Sequence, residues 1–446
     1  MTEVRAGGAT FLTMAYILLV NPSMLQVTGI PFEDALFATA IAAFVGCMVM
    51  AFWAKLPFAL APGMGLNAYF AFTVAAPWAM AVPWDIALAA ILVQGVIFLI
   101  LSLPQVGVRT AMINSLPTDL KIATGAGIGM FLAIIGLREM GWIVDDGATL
   151  VQLTHELDGA NHLNGEVWAM ICLIAITAMM ARGIKGAIVY GILGTTVVGG
   201  WILGASDPYN GVESVTFSSS ALLDVANIPE ESLFAAFGSE GLGDLGDGVS
   251  YADFFMVMVA FLFVDIFDTA GTLYSVGRQA GYVDENDELH NSDEAFMSDA
   301  GATIIGAVVG TSTTTTYIES AAGVEEGGKT GLTAVTVGVL MLSGLLLAGL
   351  FKQIPTFAAA PALVIIGAMM MRQAADIDWS DMGKSIPAFV TMVMMPFTYS
   401  IAAGIAWGII TYVLINAASG KHKDISIVMW GLAVAMILFY GTVTID

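Results

Sequence analysis

The sequence predicts an all-α polytopic membrane protein made of two inverted seven-span repeats, with about 14 transmembrane segments in all. Composition is the first reason: of 446 residues, 58% are hydrophobic and only 11% are charged, whereas about a quarter of a soluble domain is charged. The second reason is that apolar segments recur along the whole chain. The third is that each half of the chain contains an apolar region that is interrupted in a similar way.

A transmembrane helix needs about 20 apolar residues, and a half-helix buried in protein needs fewer. Full-length spans are expected at residues 10–28, 33–54, 85–103, 118–137, 165–181, 184–204, 252–272, 331–351, 356–371, 385–400 and 401–418. Shorter, broken spans are expected within residues 57–76 and 296–325. Seven of these elements precede the loop at 205–250. After the loop, residues 296–325 count as two spans, the apolar segment "AFMSDAGATIIGAVVG" and the broken element that follows it, which makes seven there as well.

The chain therefore divides into four parts. Residues 1–204 form the first repeat, residues 205–250 an acidic extracellular loop, and residues 251–418 the second repeat. Residues 419–446 form an apolar C-terminal extension, whose stretch 425–443 is either an extra span or lies against the bundle. Because each repeat has an odd number of spans, the second copy enters the membrane upside down. This is the plan of secondary transporters, which bind their substrate near the midplane where broken helices meet.

The positive charges agree with this topology. With the N-terminus in the cytoplasm, all but Arg138 and Lys352 of the 14 lysine and arginine residues lie on the cytoplasmic side, as the positive-inside rule expects. The sequence therefore predicts a multi-pass protein of the cell membrane with a cytoplasmic N-terminus.

The net charge is −23, and the acidic residues are expected to crowd the polar loops around Asp145–Glu166, Asp207–Asp253 and Asp284–Asp299. Such an acidic surface argues against nucleic-acid partners and resembles the surfaces of proteins from salt-accumulating halophiles. Cys47 and Cys172 both lie in apolar segments, which is typical of small buried hydrophobic residues. No disulfide, metal site or catalytic set is predicted.

The interruption in the second half is "GTSTTTTYIESAAGVEEGG", residues 310–328. Because β-branched residues favour strands, Thr311–Thr316 are predicted to form an extended strand in the bundle core. A half-helix is expected to follow from Tyr317 to about Glu325, with free N–H groups and positive dipole character at its N-terminus. Glu319 falls in its first turn, where it either serves a binding site or satisfies the N–H groups of its own helix.

The matching interruption in the first half is "LPFALAPGMGLNAYFAF", in which Asn67 is expected to open a short helix. Two short strands, one from each half, can pair and satisfy each other's backbone groups. Asn67 is then a binding residue or a plain N-cap. For Tyr69 and Tyr317, core packing is favoured over stacking on a substrate.

The span "FFMVMVAFLFVDIFDTAGTLYSVG" places Asp265, Asp268, Thr269 and Thr272 at spacings i, i+3, i+4 and i+7, so these four residues share one helix face. A carboxylate at membrane depth costs about 2.5–3.5 kcal/mol on insertion scales and usually marks a pathway or a binding site. The alternative is that Asp265 or Asp268 only caps or braces a neighbouring helix.

Four motifs carry a family resemblance: "TFLTMAYILLVNPSML", "APGMGLNAYFAF", "FVDIFDTAGTLYSVG" and "GTSTTTTYIESAAGVEEGGKTGL". They resemble the azaguanine-type hypoxanthine/guanine/adenine permeases of the nucleobase–ascorbate transporter (nucleobase–cation symporter-2) family. The similarity runs from about residue 5 to residue 418. It implies a core domain of spans 1–4 and 8–11 and a gate domain of spans 5–7 and 12–14.

The resemblance also implies a function, which is the uptake of hypoxanthine, guanine or adenine together with a cation, usually a proton. It places Asp265, Glu319 and Asn67 at the purine site, with Asp268 in support. We add Thr269, Tyr317 and Tyr69 as supporting residues. No cofactor is expected beyond the coupling ion, which is a proton or else sodium, and a homodimer is compatible with the sequence.

Several alternatives stay open. A uracil or xanthine permease, or a sulfate-type anion transporter, would have the same fold, although an anion carrier should not direct carboxylates at its substrate. An intramembrane enzyme or a channel is the alternative from a different class. No nucleophile–base or metal set supports an enzyme, and a channel would not need a symmetric pair of broken helices.

Overall fold

The structure is a computed structural model of the chain. It describes residues 1–77, 80–104, 117–154, 164–207, 212, 214–219, 224–238, 240–245, 249–282, 289–423 and 425–443. The predicted acidic loop 205–250 therefore lies partly outside the described residues.

The described part of the chain is mostly helical. The first half contains α1 (Thr2–Met14), α2 (Ile17–Gln26), α3 (Phe32–Val49), α4 (Met64–Ala68), α5 (Trp84–Ser102), α6 (Thr118–Glu139), α7 (Gly165–Ala181) and α8 (Ala187–Thr195). The second half contains α9 (Tyr251–Ala280), α10 (Ser292–Val309), α11 (Ser320–Glu325), α12 (Gly331–Ser343), α13 (Ala348–Phe351), α14 (Thr356–Ala359), α15 (Pro361–Met371), α16 (Met382–Thr398), α17 (Ile401–Ala418) and α18 (Ile427–Val443). The strands are β1 (Leu60–Pro62), β2 (Ile143–Asp146), β3 (Leu150–Leu153) and β4 (Thr314–Thr316).

Several helices continue into π-helical or 3₁₀ segments. The π-helical segments Met50–Ala54, Tyr69–Ala75 and Thr196–Ile202 follow α3, α4 and α8, and the 3₁₀ segments Gly344–Leu347 and Arg372–Asp376 follow α12 and α15. π-Helical turns inside helices often occur at functional sites, and Tyr69–Ala75 belongs to the broken element of the first half.

Seven helical stretches are long and apolar enough to cross a membrane, counted over the described residues alone. They are Thr2–Gln26, Phe32–Ala54, Trp84–Ser102, Thr118–Glu139, Gly331–Phe351, Thr356–Asp376 and Ile401–Ala418. The apolar stretches Met64–Ala75, Gly165–Ala181 and Ala187–Ile202 are shorter. These stretches confirm a helical protein with multiple apolar spans.

The two broken regions meet in a short antiparallel sheet. β1 pairs with β4, so that Leu60 lies opposite Thr316 and Pro62 opposite Thr314. Gly310 ends α10 with φ of 99°, a left-handed conformation that glycine adopts without steric cost, and the chain then turns into β4. The predicted pairing of one strand from each half is confirmed.

The bounds of these elements differ from the expectation in three places. The strand is Thr314–Thr316 instead of beginning at Thr311; the Thr313 carbonyl oxygen still accepts from the Gly63 N–H over 2.9 Å, just beyond the last strand pair. The half-helix begins at Ser320, with Glu319 as its N-cap residue, instead of at Tyr317. The short helix of the first half begins at Met64, so Asn67 lies inside it and does not open it.

The chain divides into two compact units. The larger contains Met1–Val106 and Gly136–Leu363, and the smaller contains Gly107–Ile135 and Val364–Asp446. Each unit thus draws residues from both predicted repeats. The broken regions belong to the larger unit, in which α10 packs against α3 and α5, while α9 packs against α5, β4, α4 and α11.

Candidate functional site

Backbone hydrogen bonds hold the start of the half-helix α11 against the first-half strand. The Tyr317 N–H donates to the Ala59 carbonyl oxygen over 2.9 Å, and the Ala59 N–H donates to Ser320 Oγ over 3.0 Å. These bonds fix the position of Glu319, which lies between Tyr317 and Ser320. The peptide groups of an irregular segment at membrane depth are thereby satisfied inside the protein, as its tolerance there requires.

Glu319 is partly exposed, and another side chain binds only one of its two carboxylate oxygens. The Tyr16 hydroxyl donates a hydrogen bond to Glu319 Oε1 over 2.7 Å. Glu319 makes no side-chain hydrogen bond that caps its own helix, so satisfying the N–H groups of α11 is not its role in this structure. Its second oxygen, Oε2, makes no hydrogen bond to any other residue that the structure describes, and the remaining donor to the carboxylate is the backbone N–H of Glu319 itself. A carboxylate oxygen at the N-terminus of a half-helix is therefore left able to accept one.

Asp299, in α10, is fully buried and ties β4 to the neighbouring helices. The Thr316 N–H and the Thr316 hydroxyl donate to its Oδ1 over 2.8 and 3.0 Å. The Thr269 hydroxyl donates to its Oδ2 over 2.6 Å. Three donors satisfy both oxygens of this buried carboxylate, and they link α9, α10 and β4 at a single point.

Asp265, in α9, is also fully buried but has far fewer donors. Gln94 Nε2 donates to its Oδ2 over 3.1 Å. The Thr303 hydroxyl lies 3.4 Å from the same oxygen, but it also lies 3.0 Å from the Thr314 carbonyl oxygen, and a hydroxyl has only one proton to give. Over the described residues, Asp265 Oδ1 and Gln94 Oε1 are both buried without a hydrogen-bond partner.

Asp268 and Thr269 lie next to each other in α9, but their side chains have different surroundings. Asp268 is partly exposed, interacts electrostatically with Glu319, and forms no hydrogen bond or ion pair with a described residue. Thr269 is fully buried; besides its bond to Asp299, its hydroxyl lies 3.1 Å from the hydroxyl of Thr315. Thr269 therefore positions the strand, while Asp268 faces the Glu319 region.

The residues predicted from the first half are engaged within the protein. Asn67 is fully buried; its Nδ2 donates to the Pro62 carbonyl oxygen over 3.2 Å, and the Ser312 hydroxyl donates to its Oδ1. The Tyr317 hydroxyl donates to the same Pro62 oxygen over 2.5 Å. Tyr69 is buried and packs edge-to-face on Phe261, with ring centroids 4.9 Å apart. Asn67 and Tyr317 therefore join the two broken regions, while Tyr69 packs the first of them against α9.

Three residues of this region were missed or misplaced by the sequence analysis. Asp299 was assigned to the polar loop Asp284–Asp299, which is wrong, because it lies on the buried face of α10. A carboxylate close to the apolar run "AGATIIGAVV" was the signal that could have found it. Tyr16 and Gln94 carry no comparable signal, since an aromatic residue or a lone amide in a span is usually packing.

These features define a class of protein. Paired broken helices that carry buried carboxylates among apolar spans are the arrangement of a secondary transporter. The transmembrane domain of the cyanobacterial bicarbonate transporter BicA has a similar fold, with a TM-score of 0.64 over 90% of this chain and 96% of that domain, at 15% identity. SLC26A9, whose murine form is described as an anion transporter, is similar over 93% of this chain and 65% of its own chain, with a TM-score of 0.62 and 11% identity. Identities this low show the shared fold alone.

The family follows from sequence comparison. The profile of a family described as "Permease family" (Xan_ur_permease) matches residues 1–407. A putative permease of Methanocaldococcus jannaschii is 40% identical over 98% of this chain and 94% of its own length. The guanine/hypoxanthine permease PbuO of Bacillus subtilis is 37% identical over 95% of this chain and 93% of its own length. The adenine permease AdeP of Escherichia coli is 37% identical over 100% of this chain and 93% of its own length.

The chain belongs to this permease family, and the resemblance seen in its motifs is confirmed. It is a membrane transport protein and not an enzyme, because its family and its curated relatives are permeases.

Proposed function

We propose that this permease imports purine nucleobases (hypoxanthine, guanine or adenine) in symport with a cation, by alternating access of a central site. The observation that carries the proposal is Glu319, a partly exposed carboxylate with one oxygen held by Tyr16 and the other making no hydrogen bond to another described residue. It lies in a chain that is 37% identical to permeases named for guanine and hypoxanthine or for adenine.

The chemistry of the site suits a purine. The polar edges of a purine carry N–H donors beside carbonyl or ring-nitrogen acceptors, and an ionised carboxylate accepts hydrogen bonds without donating any. Glu319 Oε2 can accept from a ring N–H, and Asp268, which interacts with Glu319 and has no bonded partner in the described region, supports it. A sulfate-type anion would be repelled by this pair, which disfavours the anion-transporter alternative despite the shared fold.

Asp265 is the proposed carrier of the coupling proton. A buried ionised carboxylate is costly unless donors surround it, and Asp265 has Gln94 as its one undivided donor, whereas Asp299 has three. Asp265 is therefore the better host for a proton. Sodium is the second candidate, supported by the two buried oxygens without a partner, Asp265 Oδ1 and Gln94 Oε1, because hard cations prefer oxygen ligands.

A competition assay tests the substrate. Cells that express the protein take up labelled hypoxanthine while unlabelled guanine, adenine, xanthine or uracil is added in excess. We expect the first two competitors to suppress uptake and uracil to leave it unchanged. Uptake that only xanthine or uracil suppresses would move the protein to the alternative permease class.

The coupling ion is tested by collapsing one gradient at a time. A protonophore at constant sodium should abolish uphill uptake, and Asp265→Asn should do the same while downhill exchange survives. Asp268→Asn should have a milder effect. Uptake that persists without a proton gradient and follows an imposed sodium gradient would assign Asp265 and Gln94 to a sodium site instead.

We also propose the topology of two inverted seven-span repeats with a cytoplasmic N-terminus. It is supported by the antiparallel pairing of one strand from each half and by the helices that begin at Thr118 and Thr356, each directly after a proline. Single cysteines at Thr2 and Ser219, introduced after replacing Cys47 and Cys172, test it. An impermeant reagent should label only the Ser219 position in right-side-out cells, and labelling of both positions would contradict the topology.

A further inference from the structure

Tyr16 reaches the candidate site from a distant part of the sequence. It lies where α1 gives way to α2, its ring is 2% exposed, and its hydroxyl donates to Glu319 Oε1 over 2.7 Å across 303 residues of sequence. α1 also packs directly against α11, so the N-terminal helix and the half-helix are held together where Glu319 begins α11.

The bond from Tyr16 determines which oxygen of the Glu319 carboxylate remains available to accept a hydrogen bond from a ligand. A hydrogen bond to a charged acceptor is among the stronger ones in proteins, so Tyr16 restrains the rotation of the carboxylate and fixes the direction of Oε2. A tyrosine hydroxyl has a single proton. With that proton on Oε1, Oε2 is the oxygen that no other described side chain occupies, and it is the better placed of the two to accept from a ligand.

We propose that Tyr16 is a positioning residue that orients Glu319 for a heterocycle presenting one N–H, and that it thereby sets the preference among purines. This inference rests on the proposed function. Hypoxanthine offers an isolated N–H beside its carbonyl oxygen, whereas guanine offers an N–H and an exocyclic amino group side by side. A carboxylate released from Tyr16 has both oxygens free and can accept both guanine donors in a bidentate contact.

Tyr16→Phe is the test, because it removes only the hydroxyl from a buried ring. We expect the KM for hypoxanthine uptake to rise about tenfold, the value of one charge-assisted hydrogen bond, with the maximal rate retained. The KM for guanine should rise less, so the hypoxanthine-to-guanine preference falls. Tyr190→Phe is the matched control, since Tyr190 is a 48% exposed tyrosine and its loss should change neither KM.

A general loss of structure gives a different result. It would lower the maximal rate for both purines together, and that outcome, or an unchanged KM for both, would overturn the proposal. The unfolding temperatures of Tyr16→Phe, Glu319→Gln and the double variant add a measurement that needs no substrate. If the bond forms, the two single changes are not additive, and additive effects would refute it.

Failure of the proposed function is distinguishable. If the wild type takes up no purine although it is folded, the purine assignment fails and with it the role of Tyr16 in purine preference. The unfolding cycle would then still decide whether the bond between Tyr16 and Glu319 forms. If the wild type takes up purines and Tyr16→Phe shifts no KM, only the inference about Tyr16 fails.

Discussion

The two broken regions of the chain have a similar backbone plan but opposite side-chain chemistry. Each contains a short strand followed by a short helix, and the strands pair with each other. In the first region the polar residue, Asn67, is fully buried, and the protein engages both its amide oxygen and its amide nitrogen. In the second, Glu319 is partly exposed, and one of its oxygens makes no hydrogen bond to another described residue.

This difference indicates that the two regions have different roles, one structural and one in binding. The first region braces the second, through Asn67, through the Pro62 carbonyl oxygen that accepts from Tyr317, and through the strand pair itself. The second region then presents the charge. A half-helix can direct a carboxylate at a substrate only if its start is rigid, and here the rigidity comes from the opposite half of the chain.

The largest expected effect is at the presenting residue. Glu319→Gln keeps the shape of the side chain but replaces one acceptor oxygen with an N–H donor, which would face the N–H groups of a purine. We expect uptake to fall roughly a hundredfold, measured with labelled hypoxanthine at equal surface expression. Glu325→Gln on the same half-helix is the control and should transport normally. Near-normal uptake by Glu319→Gln would contradict the proposal that the second region contacts the substrate while the first region only supports it.

The next largest effects are expected from substitutions of the two buried carboxylates of the second half, Asp299 and Asp265. Asp299→Asn places an amide against three donors from Thr269 and Thr316, and we expect it to lower the free energy of unfolding by about 1–3 kcal/mol. Asp265→Asn disturbs one firm hydrogen bond and should cost less stability while stopping uphill uptake. Thermal unfolding in detergent, together with uptake, separates the two. Equal losses of stability would show that the donor counts do not distinguish them.

Much of this site could be predicted from the sequence. Physical reasons explain why the remaining residues could not be. A carboxylate within an apolar segment costs free energy wherever the segment packs, so Asp265 and Glu319 stood out without a structure. The threonine run predicted a strand because β-branched side chains are restricted in helices. Asp299 is the last residue of the acidic stretch "SDEAFMSD", and only the packing of α10 against α3 and α5 shows that it faces inward. The bond from Tyr16 depends on tertiary contact alone.

A smaller effect is expected in the bracing region. Asn67→Ala removes both contacts of the amide, and Ser312→Ala removes one of them. If Asn67 only braces, both variants should lose stability, by about 1–3 kcal/mol at most, with little change in KM for hypoxanthine. If Asn67 also contacts the purine, as the family resemblance implies, Asn67→Ala should raise KM and Ser312→Ala should not. The uptake kinetics of Asn67→Ala and Ser312→Ala therefore decide whether the first region only supports the second or also binds the substrate.

The smallest effect is expected at the far end of the second region, where Glu326 follows α11. Lys185 pairs with Glu326, and Arg5 lies 3.2 Å from the same carboxylate. The hydrogen bond and charge of Lys185, with a lesser contribution from Arg5, hold the pKa of Glu326 below its usual value of 4.5. Both partners are partly exposed, at 38% for Lys185 and 29% for Glu326, and surface pairs contribute little to stability.

The sign of the pH dependence follows from that lowered pKa. Because the pKa is lower in the folded state, the stabilisation is fully present above the unfolded value and is lost as the pH falls through the folded value. Glu326→Gln should therefore lower the unfolding temperature slightly at neutral pH, and its difference from the wild type should vanish at a pH well below 4.5. High salt should shrink the difference as well. A difference that grew on acidification would show that Glu326 stabilises α11 in some way other than by its charge, and the second region would then be braced at its far end as it is at its start.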